Sequence, residues 1–181
     1  MDFTEKQLKK EYIYRGKILN LRRDEVELPN GAQAYREVIE HPGGVAIAAL
    51  TPDNELLVVR QFRYPYAGVL YEIPAGKLER GEDPMQCGIR ELSEETGAEA
   101  GDMILLSKIY PTPAYCEEII YVYFTRVSRF AGQHLDRDEF LAVEHLPLDT
   151  ALEMVANGKI NDAKTQIAIL KLKYMLDTNR L

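Results

Sequence analysis

Polar and apolar residues alternate along much of the N-terminal part of the chain. The segments "EYIYRG", "ILNLRRDEVEL" and "AQAYREVIEH" share this period of two, and Asn30-Gly31 separates the last two segments. Alternation of this kind is typical of strands with one buried face, and an Asn-Gly pair supplies residues with positive φ for a hairpin turn. The pattern therefore predicts a strand followed by a β-hairpin.

The central part of the chain carries continuous apolar runs instead. "GGVAIAALT" predicts a buried strand, and after the turn at "PDN" the segment "ELLVVRQFR" predicts another. Further strands are predicted at about residues 103–110, 119–128 and 140–145.

Three segments carry helix start and stop signals. Asp83 can cap a helix that begins at Pro84 and ends before Gly97. Two more helices are predicted at about residues 147–157 and 162–176. Many strands with few, irregularly placed helices favour an α+β or mixed-sheet layered fold over a Rossmann fold.

The composition narrows the class of protein. The chain has 181 residues, 46% of them hydrophobic, which is enough for one domain with a sizeable core. The formal net charge of -7 argues against binding to nucleic acid or to an anionic membrane surface.

The cysteines and the apolar runs favour a cytoplasmic protein. Cys87 and Cys116 lack C-x-x-C spacing, which suits free thiols in a reducing compartment. The charged segment "MDFTEKQLKKEYIYRGK" has no apolar core of a signal peptide, and no run approaches the about 18 apolar residues of a membrane span. We therefore expect a cytoplasmic location and neither a membrane nor a nucleic-acid partner.

The predicted helix after Asp83 separates apolar and acidic residues onto two faces. At about 100° per residue, Met85 and Leu92 fall near Ile89 and form an apolar stripe. Three carboxylates share the other face: Glu91, Glu94 and Glu95. Like charges spaced in this way destabilise a helix by about 0.2–0.5 kcal/mol per pair, so the clustering suggests a compensating function.

Two interpretations of this acidic face are open. A run of charges is most often a solvated surface. Carboxylates grouped on a rigid element are also ligands for hard cations, and Mg²⁺ commonly combines one or two carboxylates with waters and substrate phosphates. Glu91 and Glu95 are one helical turn apart and could hold the same ion, so the geometry indicates metal-assisted phosphate chemistry.

The spacing around this helix resembles a known catalytic motif. Gly76 is followed after five residues by Glu82, and after seven more by "RELSEETGA". This arrangement resembles the Nudix box, G-x5-E-x7-R-E-U-x-E-E-x-G-U, at every position. The segments "RQFRYPY", "YEIPAGKLERGE", "YPTPAYCEE" and "NDAKT" resemble the ADP-ribose pyrophosphatase branch of the Nudix hydrolases.

The resemblance implies a set of metal ligands. In the Nudix family the glutamates of the box hold divalent cations against a pyrophosphate. Carried over to this chain, Glu91 and Glu95 are the main ligands and Glu94 is a further ligand or a water-orienting group. The backbone carbonyl of Ala75 would complete the shell. The expected cofactor is Mg²⁺, with Mn²⁺ as a substitute.

The remaining fixed positions of the box have structural roles in the resemblance. Arg90 would brace the glutamates by ion pairing, and Glu82 would be either a distal ligand or a loop brace. Gly76 would permit a tight backbone approach, and Gly97 would end the helix.

The resemblance also implies substrate-binding residues outside the box. In that branch an arginine of an "R-E" pair and another in an "R-Q-x-R" strand contact the diphosphate; here these are Arg36, beside Glu37, and Arg63. A guanidinium offers paired N–H groups to phosphate, and a surface ion pair is the alternative for each arginine. Pro113 stands where the branch has a proline, but Ala114 replaces the glycine of many relatives.

The resemblance also implies a catalytic base outside the box, and the acidic loop "HLDRDEF" is placed to supply it. Glu139 is the first candidate and Asp138 the second, either as a metal ligand or as the group that deprotonates water. Glu94 is the alternative within the box, and a solvated loop charge is the alternative for both loop residues.

The fold implied by the resemblance is α+β, a Nudix-type α/β/α sandwich with a mixed β-sheet and an N-terminal antiparallel β-sheet extension. Residues 1–41 would form an N-terminal strand region that builds a homodimer, and residues 42–181 the Nudix hydrolase domain. The implied reaction is metal-dependent hydrolysis of ADP-ribose to AMP and ribose 5-phosphate. The alternatives are a pyrophosphatase for another nucleotide sugar, such as GDP-mannose, or for a dinucleoside polyphosphate, and a non-catalytic ADP-ribose-binding sensor.

Overall fold

The computed structural model describes residues 2–135, 137 and 139–181. The strands are β1 (Lys6–Arg15), β2 (Asn20–Glu27), β3 (Gln33–Glu40), β4 (Gly44–Leu50), β5 (Glu55–Arg63), β6 (Gly68–Glu72), β7 (Ala75–Lys77), β8 (Ala98–Ala100), β9 (Ile104–Ile109), β10 (Ile120–Phe130) and β11 (Leu141–Pro147). The helices are α1 (Pro84–Thr96), α2 (Leu148–Ala156) and α3 (Ala163–Asp177). The elements form two compact units. The first comprises the chain up to Gly43 with Tyr110–Ile119, and the second comprises Gly44–Ile109 with Ile120–Leu181.

The first unit is built on an antiparallel sheet in the order β1-β2-β3, which includes the predicted hairpin. The turn closes with hydrogen bonds from Leu28 N to Ala32 O (2.8 Å) and from Gly31 N to Leu28 O (2.9 Å). Gly31 has a φ of 81°, whereas Asn30 is not among the residues with positive φ, so the predicted pair of left-handed residues is wrong. Pro29 fixes a negative φ at the first loop position, and this three-residue turn needs one left-handed residue, at its end.

The segment Tyr110–Ile119 belongs to the first unit because it pairs with the end of β3. Ile39 N donates to Tyr115 O (2.7 Å), and Glu117 N donates to Ile39 O (3.1 Å). The hydrophobic pattern did not predict this pairing, since the two partners are far apart in the sequence.

The second unit contains a mixed sheet in the order β11-β5-β4-β10-β8, with β6 paired to β5, β7 to β4 and β9 to β10. Strands β4 and β10 run parallel, while β5 is antiparallel to β4, β6 and β11. Every residue of β4 is buried, as its unbroken apolar sequence predicts.

Side chains of β4 alternate between two cores because successive residues of a strand face opposite sides. Ala46, Ala48 and Leu50 pack with apolar residues of α2 and α3. Val45 and Ile47 pack with apolar residues of α1. Helices therefore cover both faces of the sheet, which confirms the predicted α/β/α sandwich with a mixed sheet.

Most local predictions are also confirmed. The bounds of the three helices agree with the predicted ones to within one residue at each end. Cys87 and Cys116 are both free thiols, and Cys87 is buried.

None of the helices in the described part of the chain has both the length and the apolar character that a membrane crossing requires.

Candidate active site

Helix α1 begins and ends at residues suited to those positions. The Asp83 carboxylate accepts hydrogen bonds from backbone N–H groups of the first turn, where Pro84 lacks one. At the other end Gly97 has a φ of 69°, and its N–H donates to Ser93 O (2.8 Å). A Cβ on Gly97 would lie 2.5 Å from the carbonyl carbon of Gly132, so a larger residue would not fit. These signals fix the length of the helix.

The face of α1 that packs on the sheet differs from the predicted one. A Cβ on Gly88 would lie 3.2 Å from Val45 Cγ2, so the lack of a side chain at Gly88 lets this side of α1 approach β4 closely. The predicted apolar stripe through Met85 is wrong, because Met85 is 38% exposed. Glu91 and Glu95 are instead buried, with 8% and 3% of their surfaces exposed. The two carboxylates therefore lie at the edge of the core and not opposite it.

The two buried carboxylates contact successive residues of β7. Glu95 Oε2 accepts a hydrogen bond from Ala75 N (3.0 Å). Glu91 lies against Gly76, where a Cβ would be 1.9 Å from the Glu91 carboxyl carbon. Only a residue without a side chain fits there, so Gly76 permits the close approach of backbone and carboxylate. Because β7 is paired with β4, these contacts are made by a rigid element.

Burial and repulsion between like charges raise the pKa values of both carboxylates. Burial is the largest cause for Glu95, whose pKa rises to about 8. The hydrogen bond from Ala75 N opposes this rise, as does the charge of Arg63, whereas the charges of Glu91 and Glu139 add to it. Burial likewise raises the pKa of Glu91, and the charge of Glu139 adds to that rise. The three carboxylates thus act on one another electrostatically.

Arg90 braces the acidic residues around α1. Its Nε and Nη2 donate to the Glu82 carboxylate at 3.0 and 3.2 Å. Its Nη1 donates to Glu91 and to Glu94, both at 2.9 Å. Glu82 also accepts a hydrogen bond from Glu79 N (2.9 Å), and Arg90 together with this N–H lowers the pKa of Glu82 to about 2. These contacts give Glu82 the geometry of a loop brace.

The oxygen donors at this place suit a hard divalent cation. Glu91 and Glu95 present carboxylates on the buried side of α1, where Glu91 lies directly against Gly76. Glu94 is drawn towards Arg90 and keeps 41% of its side chain exposed. Within residues 2–135, 137 and 139–181, no three acidic, histidine or cysteine side chains form a ready-made metal cluster. Two carboxylates on one helix fit a cation that substrate phosphates also bind, since Mg²⁺ commonly takes one or two carboxylates together with phosphate oxygens.

The segment that precedes Glu139 is fastened to the end of α1. Gln133 Nε2 donates to Glu95 O (2.6 Å), and His134 N donates to Glu94 O (2.9 Å). Both bonds satisfy carbonyl groups of the last helical turn, which have no partner within the helix. No pattern in the sequence points to Gln133, because a single side-chain contact to a backbone carbonyl leaves no periodicity.

Arg63 is held by a buried acid that the sequence analysis did not single out. Glu72 is 2% exposed and accepts hydrogen bonds from Arg63 Nε (2.6 Å) and Nη2 (2.8 Å). Lys164 of α3 contacts the same carboxylate at 2.5 Å and Asp162 at 3.0 Å. Glu72 lies in "YEIPAG", and the other two lie in "NDAKT", both of which carry the resemblance noted above. The sequence does not show that the two segments meet.

The other predicted substrate residues belong to the first unit. Arg36 pairs with Glu5 through Nε (2.9 Å) and Nη2 (2.5 Å), which is the surface ion pair named above as the alternative. Glu37 is exposed on β3, and Pro113 is exposed in the segment after β9. Asp138, the second candidate for the catalytic base, lies outside the described residues.

Comparison with known families and proteins gives consistent matches along the chain. The model of the NUDIX domain matches residues 40–166, and the model of the nucleoside diphosphate sugar hydrolase N-terminal domain matches residues 5–39. A methanol dehydrogenase activator of Bacillus methanolicus is 43% identical over 175 residues, which cover 94% of each chain. An ADP-ribose pyrophosphatase of Bacillus subtilis (strain 168) is 40% identical over 180 residues, which cover 97% of each chain.

A solved structure supports the same fold. The crystal structure of an ADP compounds hydrolase superposes with a TM-score of 0.84 at 20% sequence identity and covers 100% of both chains. Hydrolases with this domain depend on a metal ion in general. The domain match over most of the chain, the two full-length relatives and the shared fold agree with the helix, glycines and glutamates described above. The chain belongs to the Nudix family of hydrolases.

Proposed function

We propose that the protein hydrolyses the diphosphate bond of ADP-ribose, in a metal-dependent reaction that yields AMP and ribose 5-phosphate. The observation that carries the proposal is the burial of Glu91 and Glu95 side by side on α1, in contact with β7 at Gly76 and Ala75. Such a pair of carboxylates suits a cation that bridges protein and phosphate. The full-length relative named ADP-ribose pyrophosphatase supports the choice of substrate.

Glu91 and Glu95 are the proposed main ligands of the cation, with Glu94 and the carbonyl of Ala75 as further ligands. Mg²⁺ is the proposed ion and Mn²⁺ a substitute, because all of these donors are oxygens. When bound, the ion neutralises the diphosphate and stabilises the charge that develops on the departing phosphate oxygen. Arg90 supports this site, because its hydrogen bonds restrain Glu91 and Glu94 before a cation binds.

Glu139 is the proposed general base. Its carboxylate accepts the proton of a water molecule that attacks one phosphorus in line, while the bond from that phosphorus to the bridging oxygen breaks. The hydrogen bonds of Gln133 and His134 to the end of α1 support this role, because they fasten the preceding residues to the helix that carries the glutamates. Asp138 and Glu94 are the alternative bases.

Four residues are the proposed contacts to substrate: Arg36, Glu37, Arg63 and Pro113. The charge of Arg63 lowers the pKa of Glu95, a proposed cation ligand. This supports a place for the Arg63 guanidinium beside the anionic diphosphate. Arg63 Nη1 makes no hydrogen bond to any residue that the structure describes, so it is available for a phosphate oxygen.

We also propose that residues 1–41 are the dimerisation region, that residues 42–181 are the catalytic domain, and that the protein works as a cytoplasmic homodimer. Apolar side chains on β1 support the dimer, since Leu8, Ile13 and Tyr14 are 41%, 54% and 59% exposed and a second copy would cover them. Light scattering is the test. A monomer near 20.6 kDa would contradict the dimer.

The relative from Bacillus methanolicus favours a second candidate function, the activation of a methanol dehydrogenase. The variant Glu95→Gln distinguishes the two ways in which such activation could arise. Activation that depends on hydrolysis would be lost in this variant, whereas activation by binding alone would persist.

The substrate is tested by comparing kcat/KM for ADP-ribose, GDP-mannose, other nucleotide sugars and dinucleoside polyphosphates in the presence of Mg²⁺. We expect ADP-ribose to be preferred by about tenfold or more, because the site must match both the diphosphate and the groups on either side of it. A preference of more than about tenfold for another compound would move the function to that compound. Binding of ADP-ribose without turnover in excess Mg²⁺ would favour the sensor.

A further inference from the structure

Glu72, at the end of β6, is an acid in a buried position with two basic partners. It is 2% exposed, and its carboxylate accepts two hydrogen bonds from Arg63 and a third contact from Lys164 Nζ at 2.5 Å. Burial raises the pKa of this carboxyl, but the hydrogen bonds and charges of the two basic residues outweigh burial and hold it at about 2. Glu72 is therefore ionised, and each of its oxygens has a fixed basic partner.

Lys164 connects this carboxylate to the start of α3. Its Nζ lies 3.0 Å from Asp162 Oδ1, and the other oxygen of Asp162 caps the helix through Thr165 N at 2.9 Å. Thr165 Oγ1 in turn accepts a hydrogen bond from Ile73 N (2.9 Å), the residue after Glu72. The start of α3 thus holds both the side chain of Glu72 and the backbone that follows it.

The same short segment of chain leads directly to the candidate active site. Three residues after Glu72, Ala75 N donates to Glu95, and the next residue, Gly76, packs on Glu91. The charge of Arg63 also reaches Glu95 and lowers its pKa. Glu72 is therefore linked to the candidate active site in two ways. The backbone leads from it to Ala75 and Gly76, and its two hydrogen bonds hold Arg63, whose charge acts on Glu95.

We propose that Lys164 is a positioning residue for Arg63, and this inference rests on the proposed hydrolysis of ADP-ribose. By holding Glu72 Oε2, Lys164 restrains the carboxylate that binds Nε and Nη2 of Arg63, and Nη1 remains as the proposed donor to a phosphate oxygen. This role requires no contact of Lys164 with substrate or cation. Without Lys164, the Glu72 carboxylate can rotate, and the guanidinium loses its defined orientation.

The test is a double-mutant cycle on kcat/KM for ADP-ribose with Mg²⁺. We expect Lys164→Met to lower kcat/KM by about tenfold or more in the wild-type background and by less than about twofold in the Arg63→Met background. The loss should be mainly in kcat/KM and not in the cooperativity of unfolding. Lys164→Arg, which keeps a cation for Glu72, should recover most of the activity.

Lys173→Met is the matched control. Lys173 lies on the same helix and forms ion pairs with Asp177 at 2.9 Å and Asp149 at 3.5 Å, but it has no contact with Glu72. This variant loses the same charge from the same helix, but from exposed ion pairs, and we expect kcat/KM to change by less than about twofold.

Three outcomes would overturn the inference. Unchanged kcat/KM in Lys164→Met would show that Arg63 is positioned without it, and equal fold-losses in both backgrounds would show that Lys164 acts independently of Arg63. Should Lys164→Met fail to fold, wild-type kcat/KM in the Arg63→Met variant would overturn the inference, because an arginine that turnover does not need requires no positioning residue. If the wild-type chain hydrolyses ADP-ribose, each of these results contradicts the positioning role alone. If the wild-type chain hydrolyses no diphosphate, the proposed function and the inference both fall.

Discussion

Gly76 and Glu91 are in such close contact that a Cβ on the glycine would lie 1.9 Å from the carboxyl carbon of the glutamate. We expect Gly76→Ala to displace this carboxylate and to lower kcat by about 100-fold or more, because misplacing a catalytic group by about an ångström has an effect of this size. Steady-state kinetics with Mg²⁺ and ADP-ribose measures the loss.

Gly68→Ala is the control for Gly76→Ala. A Cβ on Gly68 would have ordinary van der Waals contact, 3.6 Å from Tyr66 O, so this variant should keep its activity. Wild-type kcat in Gly76→Ala would show that the contact with Glu91 is not needed for turnover.

Removal of the proposed base should affect kcat much more than KM. Glu139→Gln keeps the size of the side chain but cannot accept the proton from water, and we expect kcat to fall by about 10²–10⁴-fold. Asp138→Asn and Glu94→Gln are measured in parallel, since these residues are the alternative bases. A larger loss of kcat in either of these than in Glu139→Gln would transfer the role to that residue.

The first unit contains a carboxylate that should make stability depend on pH. Glu40 accepts hydrogen bonds from Lys10 (2.6 Å) and Arg22 (2.7 Å), and these contacts, that of Lys10 above all, lower its pKa from 4.5 to about 2. Because the pKa of Glu40 is lower in the folded state, its ionised carboxylate adds to the free energy of unfolding. This contribution is fully present above about pH 4.5 and is lost as the pH falls towards 2.

Glu40→Gln tests this contribution through urea unfolding at several pH values. We expect the variant to have a lower free energy of unfolding than the wild type at pH 7, and the difference to shrink steadily between about pH 4.5 and 2. A difference that stays constant over this range would show that the ionised Glu40 does not stabilise the fold.

Local signals in the sequence predict α1 and its carboxylates well. The cap at Asp83, the proline at the first helical position and the glycine at the end each act on their immediate neighbours, so they can be recognised without knowledge of the fold. The spacing of the glutamates along the helix follows from the same local geometry.

The sequence does not reveal which side of α1 is buried or what holds Arg63. The orientation of α1 depends on the close approach of Gly88 to Val45, a contact between distant segments, and a helical wheel that follows apolar residues through Met85 misses it. The contact between Lys164 and Glu72 joins residues 92 apart in sequence. Such contacts arise only when the sheet brings separate segments together.

Glu91 and Glu95 are buried together on α1, and we propose that they hold a cation on a diphosphate. The most direct measurement is the release of AMP from ADP-ribose by the wild type, Glu91→Gln and Glu95→Gln, each with Mg²⁺ and with a chelator. Glu99→Gln, which alters an exposed pair with Arg129, is the control. We expect AMP release that requires the metal, with kcat lower by about 100-fold or more in both site variants and unchanged in the control. Turnover near the wild-type value in both site variants, or release that persists with the chelator, would contradict the account.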